Sequence, residues 1–241
     1  MIENRDRIGN FTSSNIYKLC ASLKNGDSSA AYYTYIKEKM FERKLKRSLE
    51  MGAYGQSMAW GKFLEKRVND NLPLNYQMLH KSTKVHPKFH YVAGSVDFLV
   101  PNVKIAELKC FEPKNFASYV SVLMTGDLEL IKKEHPKEYW QMVNNSQIHK
   151  TPKMEAIVYA PYESEMDEIR ELAEDPEYLS AIGLMPWEVR FITEKPNSQL
   201  AVLPNDSEFK NLNIFEFDVP VEDVIFLNKN IIAAGKLLLA S

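Results

Sequence analysis

Residues 94–110 read GSVDFLVPNVKIAELKC, and the charged side chains within them are Asp97, Lys104, Glu107 and Lys109. Two apolar runs flank a Pro-Asn turn, the pattern of a β-hairpin. Strand side chains alternate faces, so Val103, Ile105, Glu107 and Lys109 share one side and Ala106, Leu108 and Cys110 the other. On the partner arm Ser95, Asp97 and Leu99 share a face. A connection with an odd number of residues sets Asp97 directly opposite Glu107, with Cβ atoms about 5 Å apart. Two carboxylates at that separation repel unless a positive charge lies between them. A hard divalent cation serves, because Mg²⁺ prefers oxygen ligands and often takes one or two carboxylates plus water. Lys109, on the same face, is then placed to orient a nucleophilic water or to meet the charge of a phosphorane-like state.

The wet face of an ordinary hairpin, laced with cross-strand ion pairs, carries the same residue types. Three features argue against that alternative here: the Gly-x-x-Asp lead-in, the spacing of ten between the carboxylates, and the apolar residues around them.

The surrounding chain supplies elements to hold such a hairpin. Residues 7–19 predict a loop entering a short helix, with Ser13 or Ser14 as N-cap. A Gly/Ser loop follows at 24–30. Over residues 32–49, Ile36, Met40, Phe41, Leu45 and Leu49 recur at helical spacing, opposite a face carrying Lys37, Lys39, Arg43, Lys44, Lys46 and Arg47. Residues 57–70 predict a second helix with Trp60, Phe63, Leu64 and Val68 inward. A His- and Lys-rich connection at 77–90 leads to the hairpin. After it come an amphipathic helix ending near residue 150, a strand at 154–160, an acidic helix at 163–175, strands at 187–193 and 214–220, and a terminal helix at 223–240. This order predicts one α/β domain over residues 1–241, with a mixed central β-sheet flanked by helices, a core at 5–160 and elaborations at 161–241.

Composition narrows the function classes. No run approaches the roughly 18 apolar residues of a membrane span, and the N-terminus has no signal-peptide core, so no membrane partner is expected. Two cysteines, Cys20 and Cys110, are too few for a disulfide framework or a four-thiolate centre, and a reducing, cytoplasmic setting is the expectation. His80, His86 and His90 lack cysteine partners at metal-ligand spacing and read as loop histidines. No phosphate-binding glycine loop, Ser-His-Asp arrangement or nicotinamide fingerprint is present. The net charge of −2 conceals an asymmetry. Residues 1–114 hold 19 Lys/Arg against 11 Asp/Glu, a net of +8; the remainder holds 11 against 21, a net of −10. A basic half of this kind suits a nucleic-acid partner.

At these residues the chain resembles the PD-(D/E)XK nuclease superfamily, in its lambda exonuclease or YqaJ-type viral recombinase form. The hairpin 94–110 is similar to its catalytic hairpin, with Val96 where a proline often stands. AWGKFLEKRV resembles its Gly-x-x-x-Glu helix, which singles out Glu65. RIGNFTSSNI resembles its N-terminal Arg-hydrophobic-Gly-x-x-Thr-small-Ser stretch, and YWQMVNNSQ its glutamine-bearing helix, pointing to Gln141 ahead of Gln147. One departure is His86-Pro87, which occupy the stretch where lambda exonuclease carries a further acidic residue.

The resemblance implies a restriction-endonuclease-like core and a metal-dependent deoxyribonuclease. Asp97, Glu107 and the main-chain carbonyl of Leu108 would hold Mg²⁺, with Mn²⁺ as a substitute. Lys109 would act on the attacking water, while Glu65 and Gln141 complete the site. Arg7, Thr12, Ser13 and Ser14 would bind phosphates. The implied activity is exonucleolytic resection of linear double-stranded DNA from its ends, 5′ to 3′, leaving a 3′ strand for a single-strand-annealing protein in phage-type recombination within a bacterial host cell. The implied assembly is a homo-oligomer, a trimeric ring. An endonuclease on the same core and a non-catalytic DNA-binding module are the alternatives.

Overall fold

The computed structural model describes residues 5–21, 27–49, 55–79 and 82–240. His80 and the first residues of the Gly/Ser loop lie outside them. Strands are β1 (Phe11–Thr12), β2 (Gln77–Met78), β3 (Lys84–Val85), β4 (Val92–Gly94), β5 (Phe98–Val100), β6 (Lys104–Lys109), β7 (Lys153–Tyr159) and β8 (Leu212–Asp218). Helices are α1 (Tyr17–Cys20), α2 (Ala30–Leu45), α3 (Gln56–Asn71), α4 (Pro113–Leu123), α5 (Leu128–Glu134), α6 (Pro136–His149), α7 (Met166–Glu174), α8 (Pro176–Ile182), α9 (Pro186–Glu194) and α10 (Val221–Leu239).

The central sheet is mixed, with strand order β2-β5-β6-β7-β8. β6 runs antiparallel to β5 over residues 104–106 and parallel to β7 along its whole length, so Glu107, Leu108 and Lys109 pair with β7 alone. A smaller sheet of order β1-β4-β3 lies apart from it. The predicted hairpin therefore forms with a modification. Its first arm breaks after Gly94, leaving β4 in the small sheet and β5 in the large one. Ser95, Val96 and Asp97 are the crossing residues, and the Asp97 carbonyl accepts the Leu79 amide at 3.0 Å beside the β2–β5 pairing.

Because β6 is covered on both faces, its alternation separates two apolar clusters. Ile105 packs with Phe11, Val92, Tyr119, Tyr139 and Met154. Ala106 and Leu108 pack with Trp60, Phe63, Leu64, Ile157 and the helices after residue 160. The chain beyond residue 160 is thus part of the packing around the central strands. β8 extends the sheet beside β7, and α10 is tied to α5 and α6 where Asp223 accepts from Lys132 at 2.7 Å and from the Tyr139 hydroxyl. None of the helices among the described residues is long and apolar enough to cross a membrane.

Two expectations are corrected. Residues 187–193, rich in β-branched and aromatic side chains, form the helix α9 and not a strand. Pro186 occupies its first turn, the Glu188 carboxylate accepts from the Met185 amide at 2.8 Å, and Val189 and Ile192 face inward three residues apart. Start signals and period outweigh the modest strand preference of single residues. In α2 the inward face is Tyr32, Tyr35, Ile36, Lys39 and Glu42, while Phe41 and Leu45 are 48% and 57% exposed. Lys39 and Glu42, at (i, i+3), form a buried pair at 2.9 Å, and Glu42 also accepts from the Gly9 amide at 2.8 Å. That buried partner rotates the helix away from its apolar stripe. Lys39, placed by the sequence pattern on the basic face opposite the apolar stripe, is therefore interior.

Candidate active site

Strand β6 fixes the site. The β5–β6 register pairs Phe98 with Ala106, and one further step places Asp97 opposite Glu107. The connection of residues 101–103 has the odd length that this alignment requires. Asp97 turns its Oδ2 to the far arm and accepts the Leu108 amide at 2.7 Å. Glu107 is 2% exposed, and both its oxygens are engaged. Asn145 Nδ2 donates to Oε1 at 2.6 Å; Gln141 Nε2 donates to Oε2 at 2.5 Å. Lys109 Nζ lies 3.4 Å from Glu107 Oε2 and 3.4 Å from Gln141 Oε1. Asp97, Glu107, Lys109 and Gln141 thus meet at one place, and Gln141 rather than Gln147 is the glutamine there.

Their electrostatics follow from that proximity. Burial, then the negative charge of Asp97, raises Glu107 well above the ordinary carboxylate range, against the pull of Lys109. Glu65, on α3, is pushed up to about 7 by burial and by Asp97, with Lys62 opposing. For Lys109, burial acts to lower the ammonium, but Glu107, Asp97 and Glu138 outweigh it and raise it. Two carboxylates raised by burial and by the charge of a third, beside a lysine, are the pattern expected where charge chemistry is prepared. Cys110 points to the other face of β6, its thiol raised by burial, and packs with Trp60 and Leu108.

Helix α6 supplies residues that sequence reasoning missed. Asn144 and Asn145 are fully buried. Asn145 donates to the Ser95 carbonyl at 2.9 Å as well as to Glu107, and its Oδ1 accepts from Ser13 Oγ at 2.5 Å. Asn144 Nδ2 donates to the same Ser13 Oγ at 2.7 Å. A chain of hydrogen bonds runs from Ser13 through Asn145 and Glu107 to Gln141 and Lys109. The signal was present in the sequence: two adjacent asparagines in the interior of a helix are poor helix formers, and when buried they need a partner elsewhere. Gly94 sits against this chain. A Cβ there would lie 2.1 Å from both Asn145 Oδ1 and Ser13 Oγ, so only glycine fits.

The N-terminal stretch divides. Arg7 is exposed, on the 3₁₀ turn Arg5–Arg7. Gly9 holds φ at 66°, a conformation that favours glycine, with its carbonyl accepting Arg43 Nε at 2.8 Å. Thr12 is buried; its amide donates to Tyr35 Oη at 2.8 Å, and its hydroxyl lies 3.4 Å from that of Ser14. Ser14 is partly exposed. Ser13 caps no helix: Thr12 occupies the N-cap position of the 3₁₀ turn, without a side-chain bond. The Ser13 hydroxyl is turned inward to α6, because two asparagines need it as partner.

Asp97 and Glu107 offer hard oxygen donors facing each other, the chemistry that Mg²⁺ or Mn²⁺ takes. Among the described residues no three or more His, Cys, Asp or Glu side chains gather in metal-ligand fashion, so main-chain oxygen and water would complete any such shell. His86 stands apart: buried, it accepts the Lys88 and Phe89 amides through Nδ1 at 3.0 and 3.3 Å.

The central mixed sheet thus brings Asp97 beside Glu107-x-Lys109, and α6 adds Gln141 to them. No family model matches the chain, and no curated protein matches it. Solved structures do. An alkaline exonuclease (LHK-Exo) from Laribacter hongkongensis aligns with a TM-score of 0.61 at 15% identity, over 97% of this chain and 90% of that one. The same exonuclease in complex with dAMP gives 0.61 at 15%, over 98% and 91%. A phage related exonuclease from Haemophilus somnus 129PT gives 0.57 at 13%, over 95% and 93%. The chain shares their fold along nearly its whole length.

Proposed function

We propose that this protein is a metal-dependent DNA exonuclease that hydrolyses phosphodiester bonds at the ends of linear duplex DNA. The observation that carries the proposal is the meeting of Asp97, Glu107, Lys109 and Gln141 on one hydrogen-bonded face of the central sheet. The fold shared with two exonucleases, one solved with the nucleotide dAMP, supports it.

Asp97, Glu107 and the Leu108 carbonyl would hold Mg²⁺ or Mn²⁺. Bound there, the metal supplies positive charge to a phosphoryl oxygen and a water of lowered pKa. The chain's own groups do the remainder. Asn145 and Gln141 fix the Glu107 carboxylate in one orientation. Lys109, held between Glu107 and Gln141, directs the attacking water and meets the negative charge that develops on phosphorus-bound oxygens. Glu65 stands close enough to feel the charge of Asp97 and lies within the same electrostatic field. Exposed Arg7 and partly exposed Ser14 are the members of the N-terminal stretch available to a DNA phosphate, and a 5′-terminal phosphate is a group that an arginine and a hydroxyl suit. The finer parts of the proposal are 5′ to 3′ polarity, a 3′ strand passed to an annealing protein, and a homo-oligomeric ring around the DNA.

Digestion of end-labelled linear duplex, with and without Mg²⁺, tests the activity and its polarity together. Mg²⁺-dependent release of mononucleotides from the 5′-labelled end is expected. Rapid nicking of a covalently closed circle would point instead to an endonuclease on the same core. Equal digestion by wild type and Lys109→Ala would remove the site from consideration.

A further inference from the structure

A cleft of about 570 Å³ opens where β6 ends, beyond Lys109. Its walls come from the first turn of α3, from residues 110–113 and from the segment after α9. Trp60, Phe111 and Phe191 give it aromatic surface; Gln56, Gln199 and Lys195 give it polar groups. Trp60 is 3% exposed, and its indole Nε1 has no hydrogen-bond partner among the described residues. A buried indole N–H without an acceptor is uncommon, because Trp nitrogen normally finds one. The volume falls in the range of small-ligand sites, and mixed aromatic and amide walls are the surface on which a heteroaromatic ring stacks and is hydrogen-bonded.

We propose that this cleft is a nucleobase subsite, taking the base of a nucleotide with its ring against Phe111, over the buried Trp60 and Phe191, and a base acceptor bonded to the Trp60 N–H. The assignment rests on the nuclease reading above for the source of the nucleotide. Cys110, Phe111 and Glu112 follow Lys109 directly in the chain, so a base in the cleft belongs to a nucleotide at or beside the scissile bond. The base arrives either within the strand being cut or as the released mononucleotide. Lys195 Nζ, bonded to Gln56 Oε1 at 2.6 Å, bridges the two walls and keeps a cation at their rim.

The test uses the full chain and needs no hydrolysis in its first arm. Calorimetric titration with 5′-dAMP and with 2-deoxyribose 5-phosphate measures the part of affinity that belongs to the base, expected to be about tenfold. Trp60→Phe keeps an aromatic ring but removes the donor, and Gln199→Ala alters an exposed wall residue without touching the core. Each is expected to erase most of that base-dependent difference. The second arm compares digestion of duplex ends with and without a terminal base; the variants are expected to treat both alike, unlike wild type. Dependence in the first arm alone identifies the released nucleotide as occupant, and dependence in both arms the base within the strand. Equal binding of the two probes by wild type, or an unchanged difference in both variants, overturns the subsite. Base-dependent binding without any digestion would leave the subsite standing and defeat the nuclease reading; digestion without base dependence would do the reverse.

Discussion

Asn145 holds Glu107 with one amide hydrogen, at 2.6 Å, and the crossing residue Ser95 with the other, at 2.9 Å. The side chain thus measures the gap between the two arms that carry the carboxylates. Asn145→Ala deletes this spacer and leaves Glu107 Oε1 and the Ser95 carbonyl without this donor, and the Ser13 hydroxyl without its acceptor. A loss of about 2–3 kcal/mol in stability is expected from the stranded buried groups. Nuclease activity should fall further than stability predicts, at temperatures where the variant is fully folded. Chemical denaturation alongside digestion assays checks both, and full activity in a folded Asn145→Ala would show that Glu107 needs no such support.

Glu107→Gln separates chemistry from folding. The substitution keeps the shape of a side chain that is almost wholly buried but removes a charge costly to bury. Digestion is expected to drop by roughly a hundredfold or more, in line with losing a charge-bearing group at the reacting centre. Thermal stability at pH 8 without divalent cation should stay level or rise. A large fall in melting temperature would mean that the carboxylate serves the fold instead.

Two glycines should respond in opposite senses to alanine. At Gly94 the new methyl collides with Asn145 and Ser13, and a destabilisation on the order of 2 kcal/mol or more is expected, with loss of activity. At Gly61, inside α3, a Cβ meets nothing within 4 Å, and alanine should stabilise by up to about 1 kcal/mol. Thermal melts of the two variants against wild type decide the matter.

Buried His86 gives a pH test away from the site. Burial, with Lys88 nearby, lowers its imidazole to about 4. The unfolded chain titrates the same group near 6.5, so it binds the proton first as pH falls. The contribution of neutral His86 is therefore present above about 6.5 and lost progressively as pH drops through 4. His86→Asn retains an acceptor for the Lys88 and Phe89 amides and does not titrate. Its stability relative to wild type should improve toward acid, by up to about 1.4 kcal/mol per pH unit within that window. A pH-independent difference between the two would contradict it.

The hairpin was legible from residues alone because strand alternation and turn length are local properties: once residues 101–103 form the connection, Asp97 and Glu107 must align. The split of its first arm was not legible, since Val92, Ala93 and Phe98 have the same strand character and only their neighbours send them to different sheets. The inward face of α2 was misassigned for a related reason. Lys39 and Glu42 look like solvent residues until each is known to have the other, and Gly9, as buried partner. Trp60, Phe63, Leu64 and Val68 in α3 raised no such difficulty, since apolar period and burial agree there. Ser13 was legible as important and misread in purpose, because a hydroxyl near a helix start suggests capping, while its partners Asn144 and Asn145 lie 131 and 132 residues away.

The pocket that admits no side chain at Gly94 has a consequence for inheritance. Ser13, Gly94 and Asn145 come from three distant parts of the chain, and no one of them has room to change unless the others yield. Substitutions at these positions should arrive together or not at all. A lineage free to rewrite nearly every surface residue, and even its helix composition, would still carry this trio as a fingerprint beside Asp97, Glu107 and Lys109.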